Sequence, residues 1–359
     1  MSEMAGKFLW KSFSSVNLDD PFFNSLKNDY PEFSDWFAKK AINGEQALVF
    51  DDEEGIGAFV YLKEENEPLE LANETLPAEP RLKIGTLRLA ERYRGIRLGE
   101  GALGVCLWRW QDKRLPQIYV TVFEQHRELI QLFERFGFVR IGKNHRGECV
   151  YLKSRISIDY TDPYKAFPFV RPDFDKAGLL PINDFFHDQL FPYSELKGNK
   201  LEVEEEIAGN GITKVFIATP YSPMCYSPNQ PVSIYRIFTG QGSKQYKSVI
   251  TSYCTITKVT PVKEKHRVLL DIRDFVRCAG NKTIFSIDDL KKLHAQQANI
   301  IILELIYNGF YGKGHNVTYK ELKDRNLFPA HPYQITYNRT QFIEILELGD
   351  VDVQNVIID

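Results

Sequence analysis

The sequence predicts an α/β (α+β) chain in which a mixed sheet flanked by helices is followed by a second, β-rich domain. In the N-terminal half, apolar runs that alternate like strands are interleaved with apolar runs at helical spacing. From residue 207 onward, β-branched and aromatic runs of strand length predominate. The chain has 359 residues, 43% of them hydrophobic, which is enough to bury cores for two or three domains.

The first elements lie before residue 81. Apolar residues within residues 23–37 predict one or two short helices, interrupted at Pro31. Residues 46–50 and 56–62 alternate like two strands, and an acidic turn joins them. Residues 64–80 are rich in Glu, Pro and Asn, so we expect a solvated loop there.

Residues 92–103 read RYRGIRLGEGAL and follow a short alternating run at residues 87–89. A helical run ending near Trp110 comes next, so the pattern predicts a glycine-bearing turn that opens a helix. The first N–H groups of a helix lack intrahelical partners, and the helix dipole adds partial positive charge there. The turn is therefore suited to a pyrophosphate, although many strand-to-helix turns with two glycines bind nothing.

More elements follow in a regular order. Residues 117–123 alternate like a strand, and residues 127–136 have helical spacing. A Gly-Phe pair at Gly137 and Phe138 leads into a strand, a turn at residues 144–147 and a last strand at residues 149–152.

These two segments together resemble the GNAT (GCN5-related) N-acetyltransferases. That family usually carries Arg/Gln-Gly-x-Gly-x-Gly at its acyl-CoA loop, and here Arg94, Gly95 and Gly99 fit while Arg97 replaces the middle glycine. The family's later helix typically reads Asn-x-x-Ala-x-x-Leu-Tyr before Gly-Phe. The residues of this chain at those places are His126, Leu129, Leu132, Phe133, Gly137 and Phe138.

The resemblance implies that the chain binds acetyl-CoA as cofactor. It implies that pantetheine pairs with the backbone of one strand, formed by Leu87, Arg88 and Leu89. It also implies that the following turn cradles the pyrophosphate, with Arg97 pointing away from the phosphates or supplying a cation to them. The residues of that turn are Arg94, Gly95, Ile96, Arg97, Leu98, Gly99 and Glu100.

The resemblance leaves the general acid open. The helix tyrosine that often protonates the departing thiolate is replaced by Phe133, which cannot donate a proton. Tyr151 and His126 are the candidate catalytic residues, although Tyr151 is equally explained as a packed strand residue and His126 as a helix cap. Glu91 and Glu124 lie near strand ends, where a water-relayed base could act.

The predicted domains are a GNAT-like domain over residues 1–154, a packed connector rich in proline and aromatics over residues 155–206, and a β-rich domain over residues 207–359. The density of prolines in the connector excludes long helices and central strands from it. We expect a short helix at residues 183–190 and a charged cluster at residues 202–206.

The last domain is predicted to contain five strands, at residues 214–219, 232–238, 249–259, 300–306 and 341–348. Ser286 and Thr318 are expected to begin helices. Short strands with helical insertions resemble the PUA-like and ASCH-like RNA-binding folds. The Gly-x-Lys-x-x-Glu signature of ASCH domains is missing, so the resemblance is to the broader PUA-like barrels.

Charge distribution favours RNA as the partner of this domain. The whole chain has a net charge of −3, but residues 207–300 contain 13 Lys and Arg against 5 Asp and Glu, a balance of +8. Cations interleaved with tyrosines can hold phosphates while bases stack. The candidate RNA-binding residues are Tyr235, Arg236, Lys244 and Lys247. Alternatively, the tyrosines fill a small barrel and the lysines only solvate it.

The sequence predicts a cytoplasmic protein without a membrane span, because no apolar run is long enough and the N-terminus lacks a basic-then-apolar segment. The five cysteines are widely separated, so we expect no disulfide framework and no metal site.

The predicted activity is acetyl-CoA-dependent N-acetylation of an RNA-bearing substrate. Either a tRNA base or the amino group of an aminoacyl-tRNA would explain both domains, and the second is the chemistry of GNAT-type toxins, which implies an antitoxin partner. One alternative is a protein or small-amine acetyltransferase with a C-terminal interaction domain. Another is a degenerate acetyltransferase that serves as a regulatory binding scaffold.

Overall fold

The computed structural model describes residues 4–5, 8–194, 207–221 and 224–358. The chain divides into two compact units, Met1–Ile158 and Asp159–Asp359. Residues 159–194 of the predicted connector belong to the second unit, and the predicted charged cluster at 202–206 lies outside the described residues.

The first unit contains an eight-stranded mixed sheet with the order β1-β2-β3-β4-β7-β8-β10-β9. All neighbours in it are antiparallel except β7 and β8, which are parallel. Its strands are β1 Met4–Ala5, β2 Phe8–Ser12, β3 Gln46–Asp52, β4 Gly55–Glu65, β7 Arg81–Leu89, β8 Gln117–Val122, β9 Val139–Lys143 and β10 Cys149–Ser154.

The helices of this unit are α1 Asn24–Asp29, α2 Phe33–Ile42, α3 Leu98–Asp112 and α4 Arg127–Arg135. The predicted interruption at Pro31 separates α1 from α2. Helix α2 packs an aromatic face against β3 and β4, where Phe13, Phe37 and Phe59 form mutually tilted or edge-on ring contacts. Such pairs add to the free energy gained from burying the rings.

The prediction of a solvated loop at residues 64–80 is wrong in part. Two short strands, β5 Leu69–Glu70 and β6 Thr75–Leu76, form a hairpin there. Leu69 and Leu71 are buried against Tyr119 and Val150 of the sheet. Two leucines among many charged residues are enough to fasten the segment, because burying each apolar side chain contributes roughly 1.5–3 kcal/mol.

The second unit contains another sheet, with the strand order β12-β16-β14-β13-β11-β18 and with β15 and β17 paired to β14. Within the described residues this path is open and does not close into a barrel. Its strands are β11 Ala177–Asn183, β12 Thr213–Ala218, β13 Pro231–Ile237, β14 Val249–Glu264, β15 Arg267–Val268, β16 Ile300–Phe310, β17 Val317–Thr318 and β18 Thr336–Tyr337.

The helices of the second unit include those predicted at residues 183–190 and after Ser286 and Thr318, where both residues cap the helix with their side chains. The prediction of a strand at residues 341–348 is wrong. Asn338 and Gln341 form a reciprocal capping box that begins a helix there. The helices are α5 Pro163–Ala166, α6 Asp184–Leu190, α7 Ile207–Asn210, α8 Lys244–Lys247, α9 Ile272–Ala279, α10 Ile287–Gln296, α11 Tyr319–Asp324, α12 Arg339–Leu348 and α13 Val353–Val356.

The exclusion of central strands from the proline-rich segment is also wrong, because β11 pairs with β13 from Gly178 to Asn183. On its other side β11 pairs with β18 only at Ala177 and Gly178. Pro181 therefore lies beyond that second ladder, where a missing N–H removes no bond.

None of the helices in the described part of the chain is long and apolar enough to cross a membrane.

Candidate functional site

The parallel strands β7 and β8 separate partway along their length. Their ladder runs from Arg81–Gln117 to Ile84–Val120 and ends there. At the same point the ladder between β4 and β7 shifts register, between the pairs Tyr61–Thr86 and Leu62–Ile84, and leaves Gly85 as a bulge. A bulge bends its strand, and beyond it no ladder joins β7 to β8; residues 85–89 of β7 and residues 120–122 of β8 line the gap between them.

The turn after β7 leads into the N-terminus of the fifteen-residue helix α3. Gly95 and Arg97 have φ of 80° and 65°, both in the left-handed region that favours glycine. A Cβ atom at Gly99 would lie 2.8 Å from a methyl carbon of Leu89, so the absence of a side chain lets α3 approach β7 closely. The turn thus places a helix N-terminus beside the opened strand.

Arg97 lies over the first turn of α3. Its guanidinium donates to the Glu100 carboxylate at 2.8 Å, and the two side chains are only 7% and 10% exposed. The residue that replaces the family's middle glycine therefore neutralises a carboxylate at the helix N-terminus, where phosphate is expected.

The gap between β7 and β8 is part of a cleft of 1490 Å³ within the first unit. Of the predicted acetyl-CoA residues, all but Ile96 and Leu98 line it; Leu98 is buried. The predicted residues that line it are Leu87, Arg88, Leu89, Arg94, Gly95, Arg97, Gly99 and Glu100.

His126 also lines the cleft, while Phe133 is completely buried. The His126 side chain is exposed and makes no capping hydrogen bond to α4, although the residue occupies the N-cap position. No capping hydrogen bond therefore supports the explanation of His126 as a helix cap.

Tyr151 is absent from the lining of the cleft. It is buried in β10, where its hydroxyl donates to Glu134 of α4 at 3.3 Å. Burial, together with the nearby Glu134 carboxylate, raises the pKa of Tyr151. This position matches that of a packed strand residue.

Of the two candidate water-relayed bases, Glu91 lines the cleft and lies 3.5 Å from Arg94. Glu124 does not line the cleft and pairs with Arg140 and Lys143.

No protein-family model matches the sequence, and no curated protein matches it significantly. Solved structures match the N-terminal part. A GNAT-family acetyltransferase from Listeria monocytogenes 4b F2365 is 17% identical over 42% of this chain and 98% of its own, with a TM-score of 0.28. Naa50 from Arabidopsis thaliana, in complex with the bisubstrate analogue CoA-Ac-MVNAL, is 17% identical over 41% and 99% of the two chains, with a TM-score of 0.28. A mutant AtaT toxin bound to the C-terminus of the antitoxin AtaR is 11% identical over 41% and 90%, with a TM-score of 0.28.

Sequence reasoning missed a polar group in the same cleft, formed by Tyr30 and Glu148. The Tyr30 hydroxyl donates to the Glu148 carboxylate at 3.1 Å, although 118 positions separate the two residues. The only sequence signal was the turn predicted at residues 144–147, which places Glu148 directly before β10.

In the second unit, the predicted RNA-binding residues fall into two groups. Tyr235 and Arg236 are buried in β13. The Tyr235 ring lies 5.2 Å from that of Phe328, and both oxygens of Asp188 accept hydrogen bonds of 2.7 Å from Arg236. Arg236 already has a bidentate carboxylate partner, so its charge is engaged within the fold.

Lys244 and Lys247 form the second group and are exposed on α8. The Lys247 ammonium lies 4.6 Å from the centre of the Phe238 ring, and Tyr246 between the two lysines is 58% exposed. Residues 244–247 form this short helix, and the strand predicted from residue 249 begins there as β14.

Proposed function

We propose that the first unit is an acetyl-CoA-dependent N-acetyltransferase. The observation that carries the proposal is the separation of β7 from β8 at the Gly85 bulge, directly before a glycine-bearing turn and the N-terminus of α3. This arrangement offers the backbone of one strand to an extended chain and a helix N-terminus to its phosphates.

Acetyl-CoA would supply an acetyl group activated as a thioester. Residues 87–89 would pair with its pantetheine chain through their backbone, and the turn at residues 94–100 would hold the pyrophosphate. Holding the donor in a fixed orientation converts a bimolecular reaction into a nearly unimolecular one.

The proposed acceptor is carried by RNA, as a tRNA or an aminoacyl-tRNA, and the second unit would bind that RNA as a PUA-like module. The exposed cations of α8 and the local balance of +8 over residues 207–300 support this proposal. An aminoacyl-tRNA acceptor would make the protein a GNAT-type toxin with an antitoxin partner. Acetylation of proteins or small amines and a regulatory scaffold that only binds are the alternatives.

The test is to incubate the protein with acetyl-CoA labelled in the acetyl group and whole-cell lysate, then separate RNA, protein and small metabolites. We expect label in the RNA fraction, and none with a Gly99→Glu variant. Label in protein or metabolites alone would contradict the RNA acceptor but retain the transferase. Binding of acetyl-CoA without any transfer would favour the scaffold.

A further inference from the structure

One buried carboxylate in the cleft of the first unit has no assigned role. Glu148 lines the cleft, and the residue is only 6% exposed. Burying an ionised carboxylate costs free energy unless hydrogen bonds and a cation compensate. The partners of Glu148 therefore decide what it can bind.

Neutral groups hold this carboxylate in place. Oε1 accepts from the Tyr30 hydroxyl at 3.1 Å, and Oε2 accepts from the Asn144 amide at 2.7 Å. The Asn144 side-chain oxygen accepts from the backbone N–H groups of Arg146 and Glu148, which fixes the turn between β9 and β10. The orientation of the Glu148 carboxylate is thus set before any ligand arrives.

Among the described residues, no lysine or arginine nitrogen lies within ion-pair distance of Glu148. The other buried carboxylate of the cleft, Glu100, is paired with Arg97. Glu32 and Glu91 are exposed and are paired with Arg146 and Arg94. Glu148 is thus the buried cleft carboxylate that keeps its charge available to a cationic guest.

The surroundings of Glu148 also suit an organic cation. The rings of Tyr30 and Phe123 are stacked with their centres 6.5 Å apart, and both residues line the cleft. Aromatic faces attract ammonium groups. Phe123 directly follows β8, the strand that bounds the gap where the thioester is proposed to lie.

We propose that Glu148 binds the ammonium group of the acceptor, so that the acceptor is a protonated aliphatic primary amine and not the neutral exocyclic amine of a nucleobase. The inference rests on the proposed acetyltransferase function and narrows it. Among RNA-bearing acceptors it selects the α-amine of an aminoacyl-tRNA over a tRNA base. Tyr30 and Asn144 are positioning residues that hold the carboxylate.

In the proposed acetyl transfer, the Glu148 carboxylate accepts the first proton that the ammonium loses. The bound ammonium transfers one proton to the Glu148 carboxylate, and the freed nitrogen lone pair forms a bond to the thioester carbonyl carbon. The C–S bond breaks with its electron pair on sulfur. The thiolate takes the second proton from nitrogen, and the product is a neutral amide beside a free thiol.

The surroundings of Glu148 keep the hydroxyl of Tyr30 protonated, so that it can donate its hydrogen bond to the carboxylate. Burial, followed by the charge and hydrogen bond of Glu148, raises the pKa of Tyr30 to about 12, so its hydroxyl remains protonated at neutral pH. Asp29 at the end of α1 raises the pKa of Tyr30 further, while Arg146 of the turn lowers it.

The experiment compares wild type with Glu148→Gln, Tyr30→Phe and, as matched control, Glu32→Gln at the exposed carboxylate paired to the same turn. The probes are bulk aminoacylated tRNA, the same tRNA deacylated, and spermidine. The readouts are acetyl transfer, the dissociation constant of spermidine without acetyl-CoA, and the dissociation constant of acetyl-CoA. We expect Glu148→Gln to lower kcat/KM by ~10²–10⁴ and to weaken spermidine binding at least ~10-fold, with acetyl-CoA binding unchanged.

The effect of pH separates chemistry from structure. As the pH rises towards the pKa of the acceptor amine, turnover by Glu148→Gln should rise by about tenfold per pH unit. The reason is that the fraction of acceptor that arrives already deprotonated rises by that factor. Tyr30→Phe should raise KM more than it lowers kcat, and Glu32→Gln should stay within about twofold of wild type.

Three results would overturn the inference: deacylated tRNA labelled as fast as aminoacylated tRNA, Glu148→Gln equal to wild type in transfer and in spermidine binding, or a wild type that binds acetyl-CoA but labels none of these amines. A wild type that fails to bind acetyl-CoA would instead overturn the proposed function, so the two failures are distinguishable.

Discussion

Replacing Arg97 with glycine tests how this chain accommodates an arginine in a phosphate-binding turn. The φ of 65° at residue 97 suits glycine, so the backbone should keep its conformation. The change removes the guanidinium that pairs with Glu100 at 2.8 Å. The Glu100 carboxylate then loses the positive charge of Arg97 at the N-terminus of α3, where we propose that the pyrophosphate binds.

The size of the effect follows from Coulomb's law. Two unit charges about 8 Å apart, at an effective dielectric constant of about 20, repel each other by about 2 kcal/mol. We therefore expect Arg97→Gly to weaken acetyl-CoA binding by between ~10-fold and ~100-fold. By the same argument Glu100→Gln leaves the charge of Arg97 uncompensated and should strengthen the affinity by a similar factor, and the double variant should return close to wild type, because neither charge remains.

Isothermal titration calorimetry measures the affinity of acetyl-CoA for all four proteins, namely wild type, the two single variants and the double variant. A double variant as weak as Arg97→Gly would refute the neutralisation argument, because Arg97 would then contact the phosphates itself. Equal affinities in all four proteins would refute the assignment of the turn to the pyrophosphate.

Three further predictions concern the other candidate residues. Tyr151→Phe should preserve turnover, because the Tyr151 hydroxyl donates to Glu134 outside the cleft. A loss of turnover of ~10²-fold would instead indicate that Tyr151 is the general acid. Arg236→Gln should lower the free energy of unfolding by about 2 kcal/mol at pH 7, measured by urea denaturation, because it removes hydrogen bonds to a charged and partly exposed carboxylate. Against burial, hydrogen bonds from Arg236 and His187 hold the pKa of Asp188 at about 2, so this contribution is present above about pH 4 and disappears as the pH falls towards 2. Undiminished stability would contradict the structural role. Replacing both Lys244 and Lys247 with Gln should weaken RNA binding. It should also reduce the slope of log affinity against log salt concentration by about two, one for each lost phosphate contact, as measured by titrations at several salt concentrations. The control carries Lys291→Gln and Lys292→Gln on α10, and equal losses in both would refute a specific patch.

The turn between β7 and α3 could be predicted from the sequence because its signals are local. A glycine-bearing turn before an apolar helical run defines the start of α3, and the alternation at residues 87–89 defines the end of β7. Both follow from backbone periodicity and from the conformational preferences of glycine, which act over a few residues.

The pair of Tyr30 and Glu148, where we propose that the acceptor binds, could not be predicted in this way. Tyr30 meets Glu148 across 118 positions, and Asp188 meets Arg236 across 48, so no local pattern reports either contact. Strand alternation does not reveal that Arg236 forms an ion pair with a neighbouring helix, so the sequence alone favours RNA as the partner of this arginine. Aromatic and β-branched residues within residues 341–348 favour a strand, but the capping box at Asn338 begins a helix there.

The central claim is that the turn between β7 and α3 binds acetyl-CoA. Calorimetric titration of acetyl-CoA into wild type and Gly99→Glu tests it most directly, because glutamate places bulk and negative charge where the helix N-terminus meets β7. The account predicts one site in wild type and no measurable binding in the variant, with both proteins folded by circular dichroism. Equal affinity in the two proteins, or no binding to wild type, would contradict it.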